Sequence, residues 1–316
     1  MHNSQDGSPL NFDVSLTQNR YLTRGTCLGC HAQGPTMIVD GIPQVRHEDP
    51  ARDLAGGNFA YMLGTKGSGA SDAKGHNVID FGDLEDTLTG PPGGWIHGLE
   101  SKPAVEDFTC AGIYGCHGRP LDYGASDPMA SIAGAHHGNG STLNGTTVAR
   151  SYRFLYGVIG LEADDWQNTD SAHHNEYYGA TTPRTPACND CHTLGSSFPT
   201  GSTITSLCTT CHPDMHEIDN GGDGIWIRHP SDIVIPDTGE YADYTTYNVA
   251  APVGRVTVPA AAGDTVTPGE DVVTCLSCHV AHSSDYPDLL RWDYGQIVAG
   301  GGESGEGCFI CHSTKD

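Results

Sequence analysis

Basic residues are scarce in this chain: 15 Lys and Arg stand against 39 Asp and Glu in 316 residues, a formal net charge of -24. That balance excludes nucleic acid and anionic membrane surfaces as partners, because both are met with basic patches. Cationic partners, minerals or divalent ions fit it better. Apolar residues make up only 37% of the chain, and none gather into the run of about 18 to 20 that a membrane span needs. No signal-peptide pattern opens the sequence, so the expectation is a soluble protein whose export signal has been removed. Methionine is down to five residues, while 42 glycines and 19 prolines interrupt regular structure. A core built from protein alone would be thin.

Cysteine and histidine, by contrast, are abundant, with 12 and 17 copies. No cysteine is left over: all fall into six pairs, and His follows the second member of each. The motifs are Cys27, Cys30, His31; Cys110, Cys116, His117; Cys188, Cys191, His192; Cys208, Cys211, His212; Cys275, Cys278, His279; and Cys308, Cys311, His312. Six chance placements of His would have a probability on the order of 10⁻⁸, so the histidine belongs to the motif. C-x-x-C-H attaches c-type haem: two thioethers hold the porphyrin edge and the next His ligates the iron. Five pairs have that spacing. The sixth, Cys110 and Cys116, carries five intervening residues, and Gly112 and Gly115 give the chain the freedom to bulge there.

Other cysteine chemistries explain less. A disulfide framework gives no reason for six trailing histidines. The interval from Cys191 to Cys208 suits a zinc ribbon, but only in that segment. Thioredoxin-like chemistry needs one motif beside a βαβ unit, not six along a chain.

Six irons with proximal His31, His117, His192, His212, His279 and His312 need six further axial ligands. Eleven histidines remain for them. Bis-histidine ligation is therefore expected, and with it low reduction potentials, because Met is the ligand that raises them. In CLSCHVAH, His282 follows His279 by three residues. Three residues reach at most about 10 Å, too little to round a porphyrin edge, so His282 should serve a different haem. The same holds for His216, four residues after His212. His76, His174 and His229 lie beside Gly, Asn or Pro in turn-like settings, and either His136 or His137 joins them. His47 and His97 are expected to be solvated surface residues.

The first cysteines of successive motifs lie 83, 78, 20, 67 and 33 residues apart, which is no constant period. About 53 residues per motif is too little for separate cores. The expected architecture is a multihaem c-type cytochrome: a single elongated unit over 1–316, with a subdivision at 1–186 and 187–316 as its alternative. It is mostly coil with short helices and a small β element, built around a chain of six haems. Short β-like runs (IWI, DIVIP, YTTY, RVTV) between Ile225 and Val273 predict a strand pair or hairpin. Brief helices are expected at Leu155–Trp166 and Asp288–Gly295. Each ferric haem with two ionised propionates adds about -1, taking the total towards roughly -30.

AGGNF with KGHN (His76), CHPDMH with IRHP (His216, His229), CLSCHVAH, CFICHSTKD and the opening MHNS resemble the extracellular multihaem cytochromes of metal-reducing bacteria, the OmcS/OmcE-like filament ("nanowire") family. The resemblance covers much of the chain in scattered pieces. It implies six bis-histidine haems, identical subunits joined head to tail into a conducting filament, and an extracellular or cell-surface location. It also implies a role for His2, completing the site of His279 in a neighbouring subunit. Counting His2 gives seven distal candidates for six positions, one more than is needed. The function that follows is extracellular electron transfer, with other cytochromes or acceptors such as minerals as partners. A monomeric periplasmic carrier is the alternative. A multihaem reductase fits less well, because an enzyme needs a vacant iron position and histidine is in surplus.

Overall fold

The computed structural model describes residues 27–82, 91–92, 108–120, 143–164, 166, 170–182, 200–212, 215, 229–301 and 305–315. Cys188, Cys191, His192, His2, His97, His136, His137 and His216 lie outside them.

Among the described residues regular structure is short and gathers at the cysteine motifs. Helix α1 (Cys27–His31) is the first motif itself. Helix α2 (Ile204–Cys211) contains the fourth motif's two cysteines, and two 3₁₀ turns, Cys275–Ser277 and Gly307–Ile310, open the fifth and sixth. Two cysteines three apart sit on one side of a helical turn, so this local winding turns both sulfurs the same way. The second motif is built differently. β3 (Thr109–Ala111) and β4 (Gly115–His117) pair in parallel, with Thr109 opposite Gly115 and Ala111 opposite His117. The loop between them doubles back through Gly112, whose φ is +96°. At Gly115 a Cβ would run into the Thr109 carbonyl and the Ala111 amide. The long spacing is thus taken up by a closed knot of backbone. Two further strands, β1 (Ile38–Val39) and β2 (Ile42–Pro43), form a hairpin beyond α1.

The β element is larger than a hairpin. Its five strands run in the order β5 (Gly160–Leu161), β6 (Glu176–Tyr178), β8 (Gly254–Arg255), β9 (Val272–Val273) and β7 (Ile233–Val234). Pairing is antiparallel except between β6 and β8. β7 comes from DIVIP as expected, and RVTV contributes Arg255 alone; IWI lies outside the described residues. The stretch from Leu155 is a strand at Gly160–Leu161 and not a helix. Gly157, at φ +85°, and Gly160, where a Cβ would press on Tyr152, break helical continuity there. The second expected helix appears as two 3₁₀ turns, Pro287–Leu289 and Tyr294–Gln296. Across the sheet, Arg255 donates from Nε to Glu176 Oε2 at 3.0 Å and from Nη1 to Asp271. Burial opposes the charge on Glu176, but hydrogen bonds from His174 and Arg255 outweigh it and lower its pKa.

Among the described residues, buried apolar side chains form three small clusters. One joins Tyr152, Leu155, Val158, Tyr177, Ile204, Leu207 and Leu276, with Cys116 packed against it. The second includes Ile235, Tyr244, Tyr247 and Ile310, beside Cys311, and the third Leu28, Phe59, Met62, Val78 and Phe81, beside Cys110. Each core thus packs onto an attachment cysteine, as expected of a chain that shares its interior with a cofactor.

Asp232 ties the fourth motif to the fifth. Fully buried, it accepts from Thr203 Oγ1 at 2.8 Å, and Thr203 in turn caps α2 by accepting from the Ser206 amide. Burial raises its pKa to about 6. An unfolded Asp titrates near 4, so between about pH 4 and 6 only the folded chain keeps the proton, and stability falls as pH rises through that window. A two-unit shift corresponds to about 3 kcal/mol. Asp232→Asn is predicted to remove this slope in thermal melts of the haem-loaded protein between pH 4 and 7. An unchanged slope would assign it to another group.

Candidate haem centres

Four of the described motif histidines are held by a common device. His31 Nδ1 lies 2.8 Å from the Pro43 carbonyl, His117 Nδ1 2.8 Å from Arg153 O, His212 Nδ1 2.8 Å from Pro92 O, and His279 Nδ1 2.7 Å from Asp288 O. A carbonyl can only accept, so Nδ1 carries the proton and Nε2 keeps its lone pair for a metal. His76 and His229 are held alike, by Ala281 O at 2.8 Å and Pro230 O at 2.9 Å. His312 differs: its Nδ1 meets a carboxylate, Glu240 Oε1, at 3.2 Å.

Two of these carbonyls belong to a recurring bracket. Arg153–Phe154 and Asp288–Leu289 are consecutive residues at positive φ, 48° and 58° in the first and 59° and 58° in the second. In each, the first carbonyl takes the His Nδ1–H. The second takes the amide of the residue after His, Gly118 at 2.7 Å and Val280 at 2.9 Å. The left-handed pair turns two successive carbonyls towards the motif. Nothing in SYRFL or YPDLL announces it, since left-handed backbone usually falls on Gly or Asn.

The structure brings motif histidines together with distant ones. Ring centroids of His117 and His282 are 6.2 Å apart, those of His76 and His212 6.2 Å, and those of His229 and His312 6.3 Å. Imidazole nitrogen binds a transition metal at about 2.0 Å, and the ring centre lies about 1.1 Å further back. Two imidazoles on opposite sides of one ion therefore stand roughly 6.2 Å apart. All three pairs match that separation.

The segment AGGNF shapes the surroundings of His282. Phe59 stacks on the ring at 5.1 Å, and Gly56 leaves room for it, since a Cβ there would lie 3.1 Å from its Nδ1. Burial lowers the pKa of His282 to about 3 and that of His76 to about 4, and it also lowers His117 and His279. Each is thus neutral at physiological pH, the form that ligates metal.

Other histidines are placed differently. His174 is buried, stacked on Tyr247 at 3.5 Å, with Nδ1 3.2 Å from Asp170 O and Nε2 3.2 Å from Glu176 Oε1. Both nitrogens are taken, so His174 is not presented to a metal as the sequence suggested, whereas its neighbour His173 is exposed. His47, expected on the surface, is 1% exposed. Its backbone exchanges hydrogen bonds with the Asn58 side chain, and its ring lies 3.5 Å from Asp53.

Attachment cysteines of different motifs also meet. Cys27 shares a hydrogen bond with Cys110, and Cys208 with Cys275. Cys116 is close enough to Cys208, and Cys278 to Cys308 and Cys311, to raise the partner's thiol pKa electrostatically. Haem attached at these motifs would therefore have its attachment sites near one another. Buried cationic atoms fit an anionic cofactor too: Arg46 Nε and Arg291 Nη2 are buried without a hydrogen-bond partner. Arg291 also donates its backbone amide to Cys278 O at 2.9 Å. Buried guanidinium atoms call for an acceptor, and haem propionates would supply one.

Motifs, tethered histidines and paired rings define the class: this is a multihaem c-type cytochrome with covalently bound haem c. Residues 267–316 match the family described as a doubled CXXCH motif. The chain is related to the C-type cytochrome OmcS of Geobacter sulfurreducens, 26% identical over 347 residues spanning 93% of this chain and 77% of that protein. Two solved structures are similar. The Outer Membrane Cytochrome S Filament from Geobacter sulfurreducens has 19% identity and a TM-score of 0.45, over 93% of this chain and 82% of the other. The cryo-EM structure of the OmcS nanowires from the same organism has 18% identity and a TM-score of 0.48, over 95% and 83%. Among the described residues no helix is long and apolar enough to cross a membrane.

Proposed function

We propose that the chain carries six haems, all bis-histidine ligated, and conducts electrons along them as one subunit of an extracellular filament. The observation that carries this reading is the set of three histidine pairs, each joining a motif to a distant segment. On this reading His282 serves the haem of Cys110 and Cys116, His76 that of Cys208 and Cys211, and His229 that of Cys308 and Cys311. Haem iron supplies reversible one-electron chemistry.

The chain's own residues fix the spacing. Carbonyls orient His31, His76, His117, His212, His229 and His279, the Glu240 carboxylate orients His312, and apolar clusters pack against Cys110, Cys116 and Cys311. The thiol couplings run from the first motif to the second, the second to the fourth, the fourth to the fifth, and the fifth to the sixth. Such a path serves conduction.

The relation to OmcS supports polymerisation and an extracellular site, with His2 a candidate to complete the His279 site of the next subunit. Mass spectrometry and electron microscopy of protein secreted by a host that matures c-type haem test the reading together. Six haems per chain and helical filaments are expected. Dispersed particles with every haem six-coordinate would reduce it to a diffusible carrier, and high-spin iron in fresh protein would point to a reductase.

A further inference from the structure

His312 is the exception among the tethered histidines. His31, His76, His117, His212, His229 and His279 each face a neutral carbonyl, at 2.7 to 2.9 Å. His312 faces the carboxylate of Glu240. The contact is built from both ends of that residue. The Glu240 carbonyl accepts from the Ser313 amide at 3.3 Å and also from its hydroxyl, so the residue after His is held by a carbonyl here as well, though without a positive-φ pair. The acceptor for Nδ1–H is a carboxylate on that same residue. The Glu240 side chain is 15% exposed, the Tyr241 ring packs edge-on to His312 at 5.1 Å, and Lys315 Nζ approaches Glu240 Oε2 at 3.9 Å.

A carboxylate pulls harder on an imidazole N–H than a carbonyl does, which makes the opposite nitrogen a stronger donor to a metal. Stronger donation favours the ferric state and lowers the reduction potential. We propose that Glu240 is a positioning residue that holds the haem of Cys308 and Cys311 at a lower potential than a carbonyl-tethered His312 would give. This haem would then be a low-potential step in the chain of haems. The inference rests on His312 being an axial ligand, as in the proposed function.

The test is spectropotentiometric titration of the full haem-loaded protein and its Glu240→Gln variant. Glutamine keeps the backbone contacts with Ser313 and offers a neutral acceptor. About one-sixth of the haem absorbance should move to higher potential, and one set of low-spin electron paramagnetic resonance g-values should change, with all iron still low-spin. Lys315→Gln should move the same fraction to lower potential. His312→Ala separates the two claims, because a high-spin signal establishes the ligand. If that signal appears while Glu240→Gln leaves the titration unchanged, the tuning role is overturned and the ligation stands. If His312→Ala leaves all iron low-spin, the ligation itself fails.

Discussion

Replacing His282 with alanine is expected to leave one haem high-spin, and that haem should be the one on Cys110 and Cys116, not the one on the adjacent Cys275 and Cys278. The ring of His282 stands 6.2 Å from that of His117, while the short link to His279 is drawn across Gly56 and Phe59 into a different site. Absorption and electron paramagnetic resonance spectra detect the change. A double variant assigns it: with Cys110→Ser and Cys116→Ser already removing the second haem, His282→Ala should add no high-spin signal. With Cys275→Ser and Cys278→Ser instead, the signal should persist. The reverse pattern would return His282 to the fifth motif.

The same substitution should lower stability sharply. An axial bond from His282 to the iron under His117 closes a loop of 165 residues. By the chain-entropy arithmetic applied to disulfides, a cross-link of that length is worth about 5 kcal/mol. A fall in thermal midpoint larger than that caused by removing an exposed histidine such as His173 is the expected result.

Gly115→Ala should have a comparable effect by another route. The added methyl would meet Thr109 O, the Ala111 amide and the Cys110 carbonyl carbon, all backbone atoms within one tight loop. None can withdraw without opening the β3–β4 pair, and that pair sets where Cys110 and Cys116 face. Loss of one haem by mass spectrometry, with the others retained, is predicted. Full loading would show that the long spacing is tolerant and that the knot is incidental. Gly112, held at φ +96°, should be almost as intolerant of a side chain.

The attachment chemistry was legible in the sequence because it is local: two cysteines and a histidine within a few residues name the cofactor. Which distant histidine approaches which motif was not, because His282 and His117 are brought together by folding alone. The three-residue reach from His279 bears only on which haem His282 cannot easily serve, and names no partner for it. The architecture was readable in outline, coil with brief helices and β structure, since glycine and proline set it. The five-stranded sheet was only partly readable. Its two-residue strands carry too little alternation to register, and Leu155 to Trp166 looked helical from its apolar spacing alone. His47 looked exposed for want of a motif, yet it is buried beside Asn58. The positive-φ bracket and Glu240 left no signal, because each acts through a contact between segments far apart in sequence.

The most direct test of the whole account is a high-resolution cryo-EM structure of the native secreted protein with its haems in place. The account predicts iron between His117 and His282, between His212 and His76, and between His312 and His229, in subunits joined into a filament. Iron at any of these motifs bound instead by a histidine of its own segment, or His282 directed to solvent, would contradict it.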